Sequence, residues 1–249
     1  MDYMLFAFMA VLLLYTVYRN FTLLKRYKQN KEYIECYKAI LRADENAYER
    51  INAFIDSQKE QDFAGKGRLL KLYVELDKKL PYQETLNAID LKDVFYKKDH
   101  PDKYRYSLNC ELFIWIYIIM AKARQMSGFD VLNELNDKVK ALEEMNDCLE
   151  YREAEAIYNA LCEKEDGGVK FFTDLLEGNY TELRYEKNLI GIFKRFAAAT
   201  LAYGGEPMED YYKQDLHNFA ETMIGKTYLE NLGIYDKYLP LKETAETEE

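Results

Sequence analysis

Proline and histidine are nearly missing from this chain of 249 residues. It has four prolines, two histidines, one tryptophan and only eleven glycines. So few turn-forming residues leave little room for hairpins, and no sustained alternation of apolar and polar residues marks a strand. The two histidines restrict the chemistry open to the chain. Neither has a Ser or Cys partner at a recognised spacing, so no nucleophile–base pair can be named. The four cysteines, Cys36, Cys110, Cys148 and Cys162, include no Cys-x-x-Cys pair. They read as free thiols of a reducing compartment and as small apolar core residues. A basic surface is also lacking: the formal net charge of −10 argues against nucleic acid as a partner.

The polar motifs that remain carry little chemistry. His100 lies in "DHPD" with Asp99 and Asp102, which are competent metal donors but also the makings of a polar turn. His217 has Gln214 where a di-iron helix needs Glu, and Glu221 one turn on is an ordinary helix-surface neighbour. Gly65-Lys66-Gly67 lacks the spacing and ending of a phosphate loop, and its glycines read as loosening a helix start. The carboxylates of "EKEDGG" and "ALEEM" have no apolar wall to raise a pKa and read as solvated faces. The sequence therefore names no catalytic, cofactor-binding or metal-binding residue.

What is present begins at the N-terminus. From Tyr3 to Tyr18 no residue is charged. A spanning helix needs roughly 17–25 residues. Leu12 lies mid-run, Phe21, Leu23 and Leu24 extend it, and Arg19 can snorkel outward. Tyr3, Phe6 and Phe8 at one end, and Tyr15, Tyr18 and Phe21 at the other, suit two membrane–water interfaces. No basic residue precedes the run and no Ala-x-Ala site follows it, so a retained anchor is expected over 1–24 rather than a cleaved signal. The rival is a buried first helix of a soluble bundle. Arg19, Lys25, Arg26, Lys28 and Lys31 all follow the run. Basic flanks stay cytoplasmic, so the N-terminus is expected outside the cell membrane and the body in the cytoplasm. Lys25, Arg26 and Lys28 are expected at lipid heads.

The body reads as all-α: a juxtamembrane helical stalk over 25–43, a helical domain over 44–240 and an acidic, disordered tail over 241–249. Asp44 and Ser107 are candidate N-caps, and Pro207 is placed to start a helix running to Ile224. The run Leu112–Ala121 is apolar nearly all round, but Glu111 and Lys122 bracket it. It reads as a central core helix with Trp115 inside, a second span being the alternative. Gly128, Gly178 and Gly204-Gly205 end helices.

"KGRLLKLYVEL" (Lys66–Leu76) echoes "EKNLIGIFKRF" (Glu186–Phe196), and each follows a helix with a paired apolar end, Phe54-Ile55 and Leu175-Leu176. Either the pairs are repeats or two amphipathic helices look alike. The segment "FFTDLLEGNYTELRYEKNLIGIF" resembles a tetratricopeptide helix pair, with Gly178 and Tyr180 at its turn and Leu183 where that family has alanine. The resemblance covers this segment and, less closely, the first pair. It implies a helical-hairpin bundle or α-solenoid that binds another protein. Tyrosines crowd the C-terminal third, and Tyr211 and Tyr212 are the candidate partner contacts. The expectation is a single-pass membrane scaffold with no cofactor, whose partner is a protein carrying a basic segment, complementary to the acidic body. Its rivals are an envelope- or division-associated anchor self-associating through its stalk, and an enzyme in the helical body.

Overall fold

The computed structural model describes residues 2–59, 61–91, 103–126, 129–141, 149–162, 168–178 and 187–239. Among them every regular element is helical. In chain order these are α1 (Asp2–Leu41), α2 (Ala47–Ser57), α3 (Gln61–Asp77), α4 (Gln83–Asn87), α5 (Lys103–Gln125) and α6 (Phe129–Lys140). There follow α7 (Leu149–Leu161), α8 (Val169–Glu177), α9 (Lys187–Gly204), α10 (Asp210–Ala220), α11 (Met223–Leu232) and a 3-10 turn, Tyr235–Tyr238. His100 with Asp99 and Asp102, Cys148, Gly128, Tyr180, Leu183, the carboxylates of "ALEEM", those of "EKEDGG" and the tail 241–249 lie outside the described residues.

The helices sort into two layers by how much of their girth is buried. α2, α8 and α10 each bury one stripe at three- and four-residue steps: Ala47, Ile51 and Phe54; Phe172, Leu175 and Leu176; Leu216, Phe219 and Ala220. That is the pattern of a helix with one face on a core and the other in water. α3, α5 and α7 are covered on several sides: Ile114 through Ala121 are all buried, as are Leu69, Leu70, Leu72, Tyr73 and Leu76. Each odd-numbered helix packs on the next odd one and on the even helix between them, save that the short α4 packs chiefly on α3 and reaches α6 through Gln83 and Glu134. α11 also reaches α5 and α1, which closes the inner layer on itself.

Short contacts show that the inner helices run the same way. Arg26 of α1 meets Asp62 of α3 at 3.4 Å, and the Lys66 ammonium lies 5.1 Å from the Tyr33 ring centre. Tyr73 packs on Trp115, and Asp77, one turn later, pairs with Lys122 at 2.8 Å. Tyr117 packs on Phe196, and further along Ala121 and Tyr203 share a cavity wall. Trp115 is fully buried, with Tyr37 edge-on at 4.9 Å and Tyr73 at 5.5 Å. The expected central helix is therefore in place.

Several expected boundaries are corrected. The stretch read as a stalk, 25–43, is the first inner helix of the body: Gln29, Tyr33, Cys36 and Ala39 are buried at three- and four-residue steps. Asp44 offers its carbonyl to Ala47 N, while Asn46 takes the N-cap place without a side-chain bond. Ser107 lies inside α5, and Pro207 precedes α10, whose N-cap is Glu209. The helix expected from Pro207 to Ile224 is two helices. Thr222 breaks it by accepting a hydrogen bond from Gly225 N at 3.0 Å, which caps α11.

Two glycines test this packing. A Cβ on Gly225 would lie 1.9 Å from the Phe219 carbonyl oxygen, so α10 and α11 would have to part. Gly178 ends α8 at φ +81 with open space around it. In urea unfolding, Gly178→Ala should cost about 1 kcal/mol for its left-handed backbone. Gly225→Ala should cost more than that, and Trp115→Ala about 3–5 kcal/mol for the truncated aromatic.

Candidate functional site: a bare apolar helix and the body docked on it

α1 changes character along its length. Tyr3, Phe6, Leu12, Tyr15, Tyr18 and Arg19 are all exposed, Tyr3 at 93% and Leu12 still at 47%. Among the described residues, no part of the body covers this segment. It belongs to the one helix among the described residues that is long and apolar enough to cross a membrane. Residues 3–24 rise about 33 Å, against a hydrocarbon core of about 30 Å. Its threonine hydroxyls are satisfied within the helix: Thr16 Oγ1 donates to the Leu12 carbonyl at 2.8 Å and Thr22 Oγ1 to the Tyr18 carbonyl at 2.9 Å. Such back-bonding removes the need for water.

The basic cluster after this segment divides in two. Lys25 and Lys28 are exposed, Lys28 with Glu32 at 3.9 Å. Arg26 turns inward to Asp62 and keeps 27% of its side chain exposed. It is a docking residue of α1 on α3. Gln29 Nε2 continues the seam by donating to Gln58 Oε1 at 2.8 Å. Lys66, expected in a loosened helix start, is buried beside the Tyr33 and Phe63 rings. Gly67 next to it brings α3 close to α2, since a Cβ there would meet Ile55 at 2.6 Å.

Tyr211 and Tyr212 lie side by side on α10 with different surroundings. Tyr211 is 73% exposed. Tyr212 is half-buried and its hydroxyl donates to the Leu176 carbonyl at 2.5 Å, which ties α10 to α8. Tyr228 is fully buried against Phe196, with its oxygen 3.1 Å from Thr200 Oγ1, and burial pushes its phenol well above the ordinary range. Most of the C-terminal tyrosines thus fill space between helices.

A cavity of about 260 Å³ opens where α5, α7, α9 and α11 end, lined by Arg124, Gln125, Tyr203 and Asn231 among others. Sequence reading gave no signal for it, because these residues sit in four separate helices. Arg124 Nε donates to the Leu161 carbonyl at 3.1 Å and Gln125 Nε2 to the Glu230 carbonyl at 2.7 Å, so both cap a neighbouring helix end. Ligand pockets usually measure about 300–1,000 Å³, and this one falls below that range. His217 stands apart on α10, its ring against Tyr238 at 5.5 Å. Among the described residues no group of three His, Cys, Asp or Glu side chains is placed to hold a metal ion.

No protein-family model, curated protein or solved structure matches this chain.

Asn231 Nδ2 reaches the Tyr73 hydroxyl at 3.5 Å, and burial pushes that phenol from its ordinary value of 10 up to about 12. The folded chain therefore keeps a proton that the unfolded chain gives up at pH 10. The stabilisation is whole below pH 10 and is lost as pH rises to 12. It is worth about 3 kcal/mol at most. Urea midpoints measured from pH 9 to 12 should fall across this window, and Tyr73→Phe should lessen the fall.

Proposed function

We propose that this chain is a single-pass membrane protein whose all-helical cytoplasmic body is a scaffold for another protein, and not an enzyme. One observation carries the reading. A single unbroken helix is bare and apolar up to Leu24 and docked in the body from Arg26 onward. Exposed large apolar side chains cover the bare part on every side, and water is a poor medium for such a surface. The basic residues from Arg19 to Lys31 support an outside N-terminus and a cytoplasmic body.

The two-layer arrangement, in which each inner helix packs on the next and on the outer helix between them, supports the tetratricopeptide-like reading. The two echoing segments, in α3 and α9, are both inner helices that follow an outer one, α2 and α8. Tyr211 is the candidate contact for a partner, since exposed tyrosine is favoured at binding hot spots. Tyr212 holds Tyr211 in place through its ring, 5.5 Å away. The net charge of −10 favours a partner with a basic segment.

Two measurements test this. A membrane-impermeant thiol reagent on intact cells should label Asp2→Cys and leave Glu249→Cys untouched; the reverse pattern would invert the topology. Affinity capture from detergent-solubilised membranes should recover a basic protein whose binding weakens as salt rises. Tyr211→Ala should weaken it about tenfold. Equal affinity of the folded variant would move the site off α10. Small-molecule turnover with no protein captured would favour catalysis instead.

A further inference from the structure

The contact between α1 and the first turn of α3 fixes how far the body stands from the end of the bare segment. Arg26 pairs with Asp62, the second residue of α3, at 3.4 Å. Gln29 bonds to Gln58, the residue after α2, at 2.8 Å. Leu24 closes the apolar segment, and Tyr27, 71% exposed, is placed as an interfacial aromatic. From Leu24 to Arg26 the helix rises about 3 Å. The headgroup layer adds roughly 5–8 Å on each side of the hydrocarbon. No break in α1 separates the two parts. A span that ends at Leu24 therefore brings the start of α3 and the α2–α3 turn to headgroup depth.

The inner helices run parallel, so the α10–α11 junction, with Met223 exposed at 45%, lies at this same end of the body. In the α2–α3 turn Lys59 is exposed, with Asp56 exposed before it and Glu60 next in sequence, while Asp62 pairs with Arg26. We propose that the body lies flush on the bilayer, with Lys59 of the α2–α3 turn touching lipid phosphates beside Lys25 and Lys28. This rests on the membrane-anchor reading and adds a second, body-borne contact to it. Phosphate is the fitting partner because a lysine at headgroup depth meets it in every phospholipid. The opposite end of the body, with the cavity over Arg124 and Gln125, then faces away from the membrane.

The test uses the full chain in phosphatidylcholine liposomes that carry a nickel-chelating lipid. Nitroxides are placed singly at Leu12→Cys, Lys59→Cys and Lys78→Cys, and the parent chain treated alike sets the background from its own cysteines. Lys78 follows α3, whose 17 residues put it about 25 Å further from the span than Lys59. Headgroup nickel should relax the label at 59 several-fold faster than the label at 78, with the label at 12 shielded in lipid. A shielded label at 12 with equal relaxation at 59 and 78 would overturn the seating and leave the anchor standing. A label at 12 open to water would overturn both. Acetylation of the unsubstituted chain gives a second reading: Lys59 should react several-fold more slowly than Lys78 in liposomes, and equal rates would count against the seating.

Discussion

Trp115 is where three inner helices meet. Tyr37 of α1 comes edge-on to its ring from one side and Tyr73 of α3 from another, while α5 itself carries the indole. Edge-to-face aromatic contacts hold orientation as well as area, because the ring edge and face carry opposite partial charges. This cluster therefore fixes the angle between the apolar N-terminal helix and the rest of the chain. Arg26–Asp62 and Gln29–Gln58 extend the same seam toward the bare segment. The buried Lys66 beside Tyr33 and Phe63 lies between those contacts and the aromatic cluster.

Around that joint the layers follow from how much of each helix is apolar. α5 has apolar residues on all sides from Ile114 to Ala121, so it can be satisfied only in a centre. α8, with one stripe of Phe172, Leu175 and Leu176, can be satisfied only at an edge. Some of the polar atoms taken into the interior are held by neighbours. Tyr48 donates to the buried Glu75 at 3.1 Å, and Thr200 meets Tyr228. Cys36 sits in the same interior, and burial pushes its thiol up to about 11, so it stays protonated at neutral pH.

The all-helical character, the bare N-terminal helix and the buried α5 were legible because each is a property of continuous stretches, readable as periodicity or its absence. What was missed depends on residues far apart in sequence. The docking role of Arg26 was hidden because its partner Asp62 lies 36 positions away. Tyr212 looked like its neighbour Tyr211 because nothing local reports the Leu176 carbonyl that receives its hydroxyl. The break at Thr222 was readable in principle, since threonine is a good N-cap, but Met223 and Ile224 continue the apolar pattern and hid it. The stalk was misjudged because the buried face of α1, at Tyr33, Cys36 and Ala39, is as narrow as a self-association stripe.

On the membrane-span reading proposed above, the unbroken α1 makes the body a lever. A hinge at the membrane surface would let the bilayer thin, thicken or curve without disturbing what lies beyond it. Here the bare apolar segment and the first inner helix of the body are one rod of 40 residues. Spanning helices meet changes in bilayer thickness by tilting. A tilt of about 10° would swing the far end of the docked part, about 24 Å out, through about 4 Å. The body would turn with it as a unit, and bilayer thickness would be written into the position of whatever the body holds.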